Sequence, residues 1–121
     1  MDFIWYSKCS TCKNAKKYLD DNLIKYNIRD IKDKTPTREE IKAWIERYNI
    51  DIDKMFNTSG ILYRKLNIKD KKSSMSVNEK INILSKNAML IKRPILVCSD
   101  KIYFGFKDKE LETLKNKKWG I

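Results

Sequence analysis

Phe3-Ile4-Trp5-Tyr6, then Ser7-Lys8-Cys9-Ser10, then Thr11-Cys12-Lys13-Asn14-Ala15 and on to Asn22 is the stretch that decides the architecture. Its first four residues are aromatic or β-branched and read as a short buried strand. A polar turn follows. Thr11 to Asn22 then carries Ala15 and Leu19 at helical spacing, and Asn22 is a natural stop. Tyr26-Asn27-Ile28-Arg29-Asp30-Ile31 alternates like a second strand. Strand, helix and strand within roughly thirty residues make a βαβ unit, whose two strands are parallel neighbours.

Downstream the character changes. Thr35-Pro36-Thr37 opens a helix, with Thr37 and Glu40 spaced as a capping box. Ile41, Trp44, Ile45 and Tyr48 follow as an amphipathic stripe whose aromatic members read as core. Ile61 to Leu66 reads as a short helix after the Ser59-Gly60 turn. Ser76 and Glu79 make a second capping box, with Val77, Ile81 and Leu84 as its apolar side. Residues 35 to about 90 are thus a helical block. Strand character returns at Pro94-Ile95-Leu96-Val97-Cys98, turns at Ser99-Asp100 and resumes at Lys101-Ile102-Tyr103-Phe104, an antiparallel hairpin. A last helix is expected from Asp108, acidic at its start, lysine-rich at its end and buried through Leu111 and Leu114. The expected fold is α/β: a mixed four-stranded sheet in the order βαβ…ββα, one domain over 1–121 with the helical block inserted.

The 121 residues suffice for one modest core, and 41% hydrophobic content marks a globular chain. No apolar run approaches the roughly 18–20 residues a bilayer needs, and the N-terminus lacks a signal-peptide core. A cytoplasmic location with no membrane contact is expected. Histidine is absent, which removes Cys–His dyads, Ser–His–Asp triads and every histidine-containing metal site. Three cysteines cannot complete a four-thiolate zinc site alone, so no metal is expected. The net charge of +11 comes from 27 cationic residues, only five of them arginine. The lysines form no single stripe and no aromatic-interleaved basic motif, so the charge reads as a solvated surface. No direct nucleic-acid contact is expected.

The chemistry concentrates at Cys9-Ser10-Thr11-Cys12. A CxxC between a first strand and a first helix sets its leading cysteine beside unpaired backbone N–H groups and the positive helix end, which favour a thiolate. Lys8 and Lys13 add positive charge on either side. Cys12 lies one turn on, placed to attack a mixed disulfide formed at Cys9. Cys9 is therefore assigned as nucleophile and Cys12 as resolving thiol. Cys98 falls inside an apolar strand and reads as an inert buried thiol. Arg93-Pro94 precedes a strand that should pair beside the first one. Proline cannot donate to a ladder and is the usual partner of a cis peptide. A cis Arg93–Pro94 bond is expected, with Arg93 turned toward the Cys9 thiolate.

Five segments together resemble the Spx/ArsC family over nearly the whole chain. They are Tyr6 to Ala15, Phe56-Asn57-Thr58-Ser59-Gly60, Tyr63-Arg64-Lys65-Leu66, Ile91-Lys92-Arg93-Pro94-Ile95 and Phe104-Gly105-Phe106. The resemblance implies a thioredoxin/glutaredoxin-like fold with a helical insert. In the family's arsenate reductases, the nucleophile falls on Cys9 and one anion-binding arginine on Arg93. The loop arginine falls on Lys13, the histidine on Trp5, and the other two arginines on Gly60 and Gly105. Lysine binds an oxyanion as a point charge, without a bidentate fork. Arsenate reduction is accordingly the weakest of three readings. The leading one is a thiol–disulfide oxidoreductase, with Arg93, Lys13 and Lys8 as anion- or substrate-binding groups and Pro94 as the structural cis-proline. The alternative is a redox-sensing transcriptional regulator of the Spx kind, contacting RNA polymerase. The enzyme readings imply a small thiol or oxyanion substrate, no bound cofactor, and glutathione or a thioredoxin or glutaredoxin as reductant and redox partner. The chain is expected to act as a monomer.

Overall fold

The structure, a computed structural model, describes residues 1–105. The helix expected from Asp108, with Leu111 and Leu114, lies outside the described residues. Two compact units divide the chain: Met1–Asp30 with the chain from Arg93 on, and Ile31–Lys92.

The first unit holds β1 (Asp2–Trp5), α1 (Ser10–Asp21), β2 (Asn27–Asp30), β3 (Ile95–Val97) and β4 (Ile102–Phe104). They form a four-stranded mixed sheet in the order β2-β1-β3-β4. β1 runs parallel to β2 and antiparallel to β3, and β3–β4 is the antiparallel hairpin. Pairing sets Phe3 opposite Leu96, and Leu96 opposite Tyr103. Alternation along each strand puts these three on one face, where they bury against Ala15 and Leu19 of α1. Tyr26 meets the Phe3 ring edge-on at 5.3 Å. Ile4, Ile95 and Ile102 alternate to the opposite face and are buried too.

α1 ends in a Schellman motif. Ile24 N–H donates to the Leu19 carbonyl at 2.9 Å, and Leu23 N–H donates to the Asp20 carbonyl at 3.1 Å. The residue between helix and return is Leu23, at φ 55° and 87% exposed, where glycine is usual. Ile28 of β2, an edge strand among the described residues, is half exposed. One sequence expectation changes in this unit. Cys98 lies one residue past β3, its N–H donating to the Lys101 carbonyl at 2.9 Å to close the hairpin.

The second unit is helical. α2 (Arg38–Tyr48), α3 (Ile61–Lys65), α4 (Ile68–Lys71) and α5 (Val77–Lys86) are joined by 3₁₀ turns at Ile52–Met55, Lys72–Ser74 and Ala88–Leu90. Thr37 Oγ1 accepts from Glu40 N–H, and Ser76 Oγ accepts from Glu79 N–H, both at 3.1 Å. These bonds satisfy orphan donors at the starts of α2 and α5. Ile41 and Trp44 of α2 are buried, as are Ile81 and Leu84 of α5. Val77, expected on that apolar side, shares the face of Ile81 and Leu84 but sits at the first position of α5 and is exposed. Lys80 pairs with Asp53 at 2.7 Å and ties α5 to the 52–55 turn. Asn57 N–H to the Leu90 carbonyl (2.8 Å) and Lys92 N–H to the Met55 carbonyl (2.7 Å) bracket a bridge between Phe56 and Ile91.

Candidate active site

Cys9 is the N-cap of α1 and has an extended backbone conformation (φ −95°, ψ 120°). Its N–H donates to the Tyr6 carbonyl at 3.0 Å, and its own carbonyl accepts from Lys13 N–H at 3.0 Å. The Cys9 sulfur accepts from Cys12 N–H at 3.4 Å, in the position that serine or aspartate oxygens take at most helix starts. The nucleophile candidate is thus held by the cap itself. Cys9 is half-buried, whereas Cys12, on the first turn of α1, is fully buried. All three cysteines are thiols in this structure.

The two sulfurs therefore live in different media. Burial pushes the Cys12 thiol up to about 12, and the hydrogen bond and charge of neighbouring Cys9 add to the rise. A backbone hydrogen bond from Tyr6 and the Arg93 guanidinium pull the other way, by favouring the thiolate.

Arg93 immediately precedes β3, and the Arg93–Pro94 peptide bond is cis. Its guanidinium lies over the Tyr6 ring, 5.4 Å from the centroid. Among the described residues it is the cation acting on Cys12. Pro94 is buried, and its carbonyl accepts from Gly105 N–H at 2.8 Å. Gly105 has φ 86°, which a residue with a side chain adopts only under strain. In the other unit Gly60 caps α3, and a β-carbon there would come within 2.8 Å of the Asn57 side-chain nitrogen. Gly105 is thus held in a conformation suited to glycine, whereas at Gly60 a side chain would require the Asn57 amide to shift.

Lys8 and Lys13 are exposed on the loop and the first turn. The structure ties Lys13 to the site through its backbone rather than through its ammonium group. Tyr6 is the residue that sequence reading passed over. It bonds both cysteines through its backbone and carries Arg93 on its ring; its signals in the sequence were its place at the end of the first strand and at the start of the segment Tyr6 to Ala15. Cys98 is buried in the cluster of Phe3, Ala15, Leu19 and Leu96. Among the described residues no group of three or more histidine, cysteine, aspartate or glutamate side chains is arranged to hold a metal ion. No helix among them is long and apolar enough to cross a membrane.

The model of the ArsC family matches residues 4–114. The chain belongs to the ArsC family. Among ArsC-family relatives, it is 42% identical over 112 residues to the uncharacterized protein YusI of Bacillus subtilis (strain 168), covering 93% of this chain and 95% of YusI. It is 33% identical over 118 residues to the regulatory protein MgsR of the same organism, covering 98% and 92%. A crystal structure described as a possible arsenate reductase from Streptococcus mutans UA159 superposes with a TM-score of 0.81 at 42% identity, covering 92% of this chain and 96% of that one. The thioredoxin-like sheet with its helical segment is the architecture of that family.

Proposed function

We propose that this ArsC-family protein is a thiol–disulfide oxidoreductase in which Cys9 attacks and Cys12 resolves. The observation that carries the reading is the asymmetry of the pair: a half-buried sulfur held at the N-cap, and a fully buried one a single turn behind it. In the first step the Cys9 thiolate attacks one sulfur of a small mixed disulfide. A bond forms from Cys9 to that sulfur, and the other sulfur leaves as a thiolate that takes a proton from solvent. In the second step Cys12 gives up its proton and attacks the Cys9 sulfur, and the bound group leaves as a thiolate. The substrate gains two electrons, and the protein ends as a Cys9–Cys12 disulfide. Glutathione, or a thioredoxin or glutaredoxin, returns the two electrons.

The environment of Cys12 gives this order a physical reason. In the dithiol state both burial and the neighbouring Cys9 sulfur hold the Cys12 proton on. Once Cys9 is in a mixed disulfide its charge is gone, so resolution becomes easier only after capture. Arg93, Lys8 and Lys13 supply positive charge for an anionic thiol or an oxyanion, and Pro94 starts the strand that carries Arg93. Reduced protein mixed with a small glutathione mixed disulfide tests the reading. Cys9→Ser should abolish turnover, and Cys12→Ser should accumulate a covalent adduct seen by intact-mass spectrometry. Full turnover in Cys9→Ser would overturn it.

The likeness to MgsR, a regulatory protein, and to Spx, a global transcriptional regulator, favours a second reading, a regulator rather than an enzyme. Such a regulator of the Spx kind would show RNA polymerase binding in one oxidation state and no turnover. Arsenate reduction, named for the Streptococcus mutans structure, meets Gly60 and Gly105 where arginines are needed, and should give no arsenate-dependent oxidation of glutathione or thioredoxin.

A further inference from the structure

Between α3 and α4 the chain folds around a cavity of about 370 Å³, lined by Thr58, Tyr63, Arg64, Asn67, Lys69 and Asp70. That is room for about a dozen waters at roughly 30 Å³ each, too wide for a bare ion and enough for a side chain with a little backbone. The charge around it is unbalanced. Arg64 and Lys69 stand in the wall, and the Lys72 ammonium lies over the ring of Tyr63 at 5.6 Å and over that of Phe56 at 5.7 Å. Against these cations the wall offers a single carboxylate, Asp70. On α1, by contrast, Lys16 and Lys17 each pair with an aspartate four residues on, at 2.8 and 2.6 Å. Among the described residues neither Arg64 nor Lys69 makes an ion pair. Ile61, one turn before Arg64 and Lys65 on α3, is 76% exposed. We propose that this face of the helical unit docks an acidic segment of a partner protein, whose carboxylate side chain enters the cavity toward Arg64 and Lys69 and whose apolar neighbour covers Ile61.

The face is built before a partner arrives. Asn67, left-handed at φ 55°, turns α3 into α4, and its N–H donates to the Arg64 carbonyl at 3.0 Å. Lys72 is held over two rings rather than left in solvent. Little ordering is then left to cost affinity. A guanidinium fork suits a carboxylate, and an exposed isoleucine gains by burial against another apolar side chain. Nucleic acid fits the face less well. Phe56 and Tyr63 are buried, with Lys72 over both rings, so neither offers a face on which a base could stack. Asp70 also stands against a chain of phosphates. The proposal is independent of the dithiol, since every residue it uses lies in the helical unit.

The probe is a short fluorescein-labelled peptide of glutamates around one leucine, titrated with reduced full-length protein and read by fluorescence anisotropy. Binding should saturate and should weaken as salt is raised. Arg64→Gln with Lys69→Gln should weaken it about tenfold. Lys25→Gln with Lys42→Gln removes the same charge at exposed lysines that do not line the cavity, and should stay within about twofold. Asp70→Asn removes the opposing charge and should tighten binding about threefold, which a merely structural role would not do. Ile61→Ser should weaken it about threefold with the salt dependence unchanged. All these changes lie at exposed residues, and far-ultraviolet circular dichroism should match the parent. Equal weakening by the two double variants would reduce the effect to net charge and overturn the proposal. Weaker binding by Asp70→Asn, no saturable binding at all, or an equally tight grip on a labelled oligothymidylate would overturn it too.

Discussion

In the sheet-bearing unit the central strand finds its partners far along the chain, as Phe3 of β1 does opposite both Ile28 and Leu96. In Ile31–Lys92 the starts of α2 and α5 are each fixed by a side chain three residues from the N–H it binds. The first kind of structure depends on long-range burial and the second on local hydrogen bonding with a shared apolar stripe. The dithiol joins the two modes. Cys9 is a local cap, yet Arg93 acts on Cys12 only because β3 returns beside β1. A site of this type needs both a helix start and a distant strand.

The largest test of that contrast is Phe3→Ala, which removes the centre of the sheet-side core and should cost about 3–5 kcal/mol in urea unfolding. A cost near that of a lost cap would break the comparison. Next comes the pH dependence of the reduced protein. Above pH 9.0, the ordinary value, an unfolded chain releases the Cys12 proton, while the folded one keeps it up to about 12. The contribution of Cys12 to stability is therefore complete below pH 9.0 and is lost as pH rises through about 12. Wild-type protein should lose more of its denaturation midpoint than Cys12→Ala between about pH 8 and about pH 10.5. Equal losses would show that Cys12 does not stay protonated. Thr37→Ala and Ser76→Ala should each cost about 1 kcal/mol, confined to the helical segment by hydrogen exchange. The smallest effect is expected at Lys17, whose 2.6 Å pair with Asp21 is solvent-exposed. Lys17→Ala should leave the unfolding midpoint where it is, and a clear drop would mean that surface pairs hold α1.

The features legible in the sequence are those governed by neighbours in the chain. The βαβ opening, the caps at Thr37 and Ser76, the short helix after Gly60 and the hairpin turn at Ser99-Asp100 all carry their cause within a few residues. The rest needed tertiary structure. Val77 reads as part of the apolar stripe of α5, yet at the end of that stripe it is exposed. The 3₁₀ turns at Ile52–Met55 and Ala88–Leu90 are too short to print a period, and only the Phe56–Ile91 bridge explains why they lie there. At the site, Cys9, Cys12 and Pro94 were visible as a spacing and a dipeptide. The contact of Tyr6 with Arg93 was not, because the two lie 87 positions apart in the chain.

Burial of Cys12 also decides how the pair ages. On the dithiol reading, peroxide would meet the half-buried Cys9 first and turn it into a sulfenic acid. On the dithiol reading, Cys12 one turn away condenses with that acid, releasing water and leaving a disulfide that thiols can reduce. The alternative, further oxidation to a sulfinic acid, is a permanent loss. Cys12, shielded from solvent, is itself spared. A thiol kept in the dark beneath its partner would, on that reading, serve as a repair reserve, and the damage that would end the protein's working life would become one more step in its cycle.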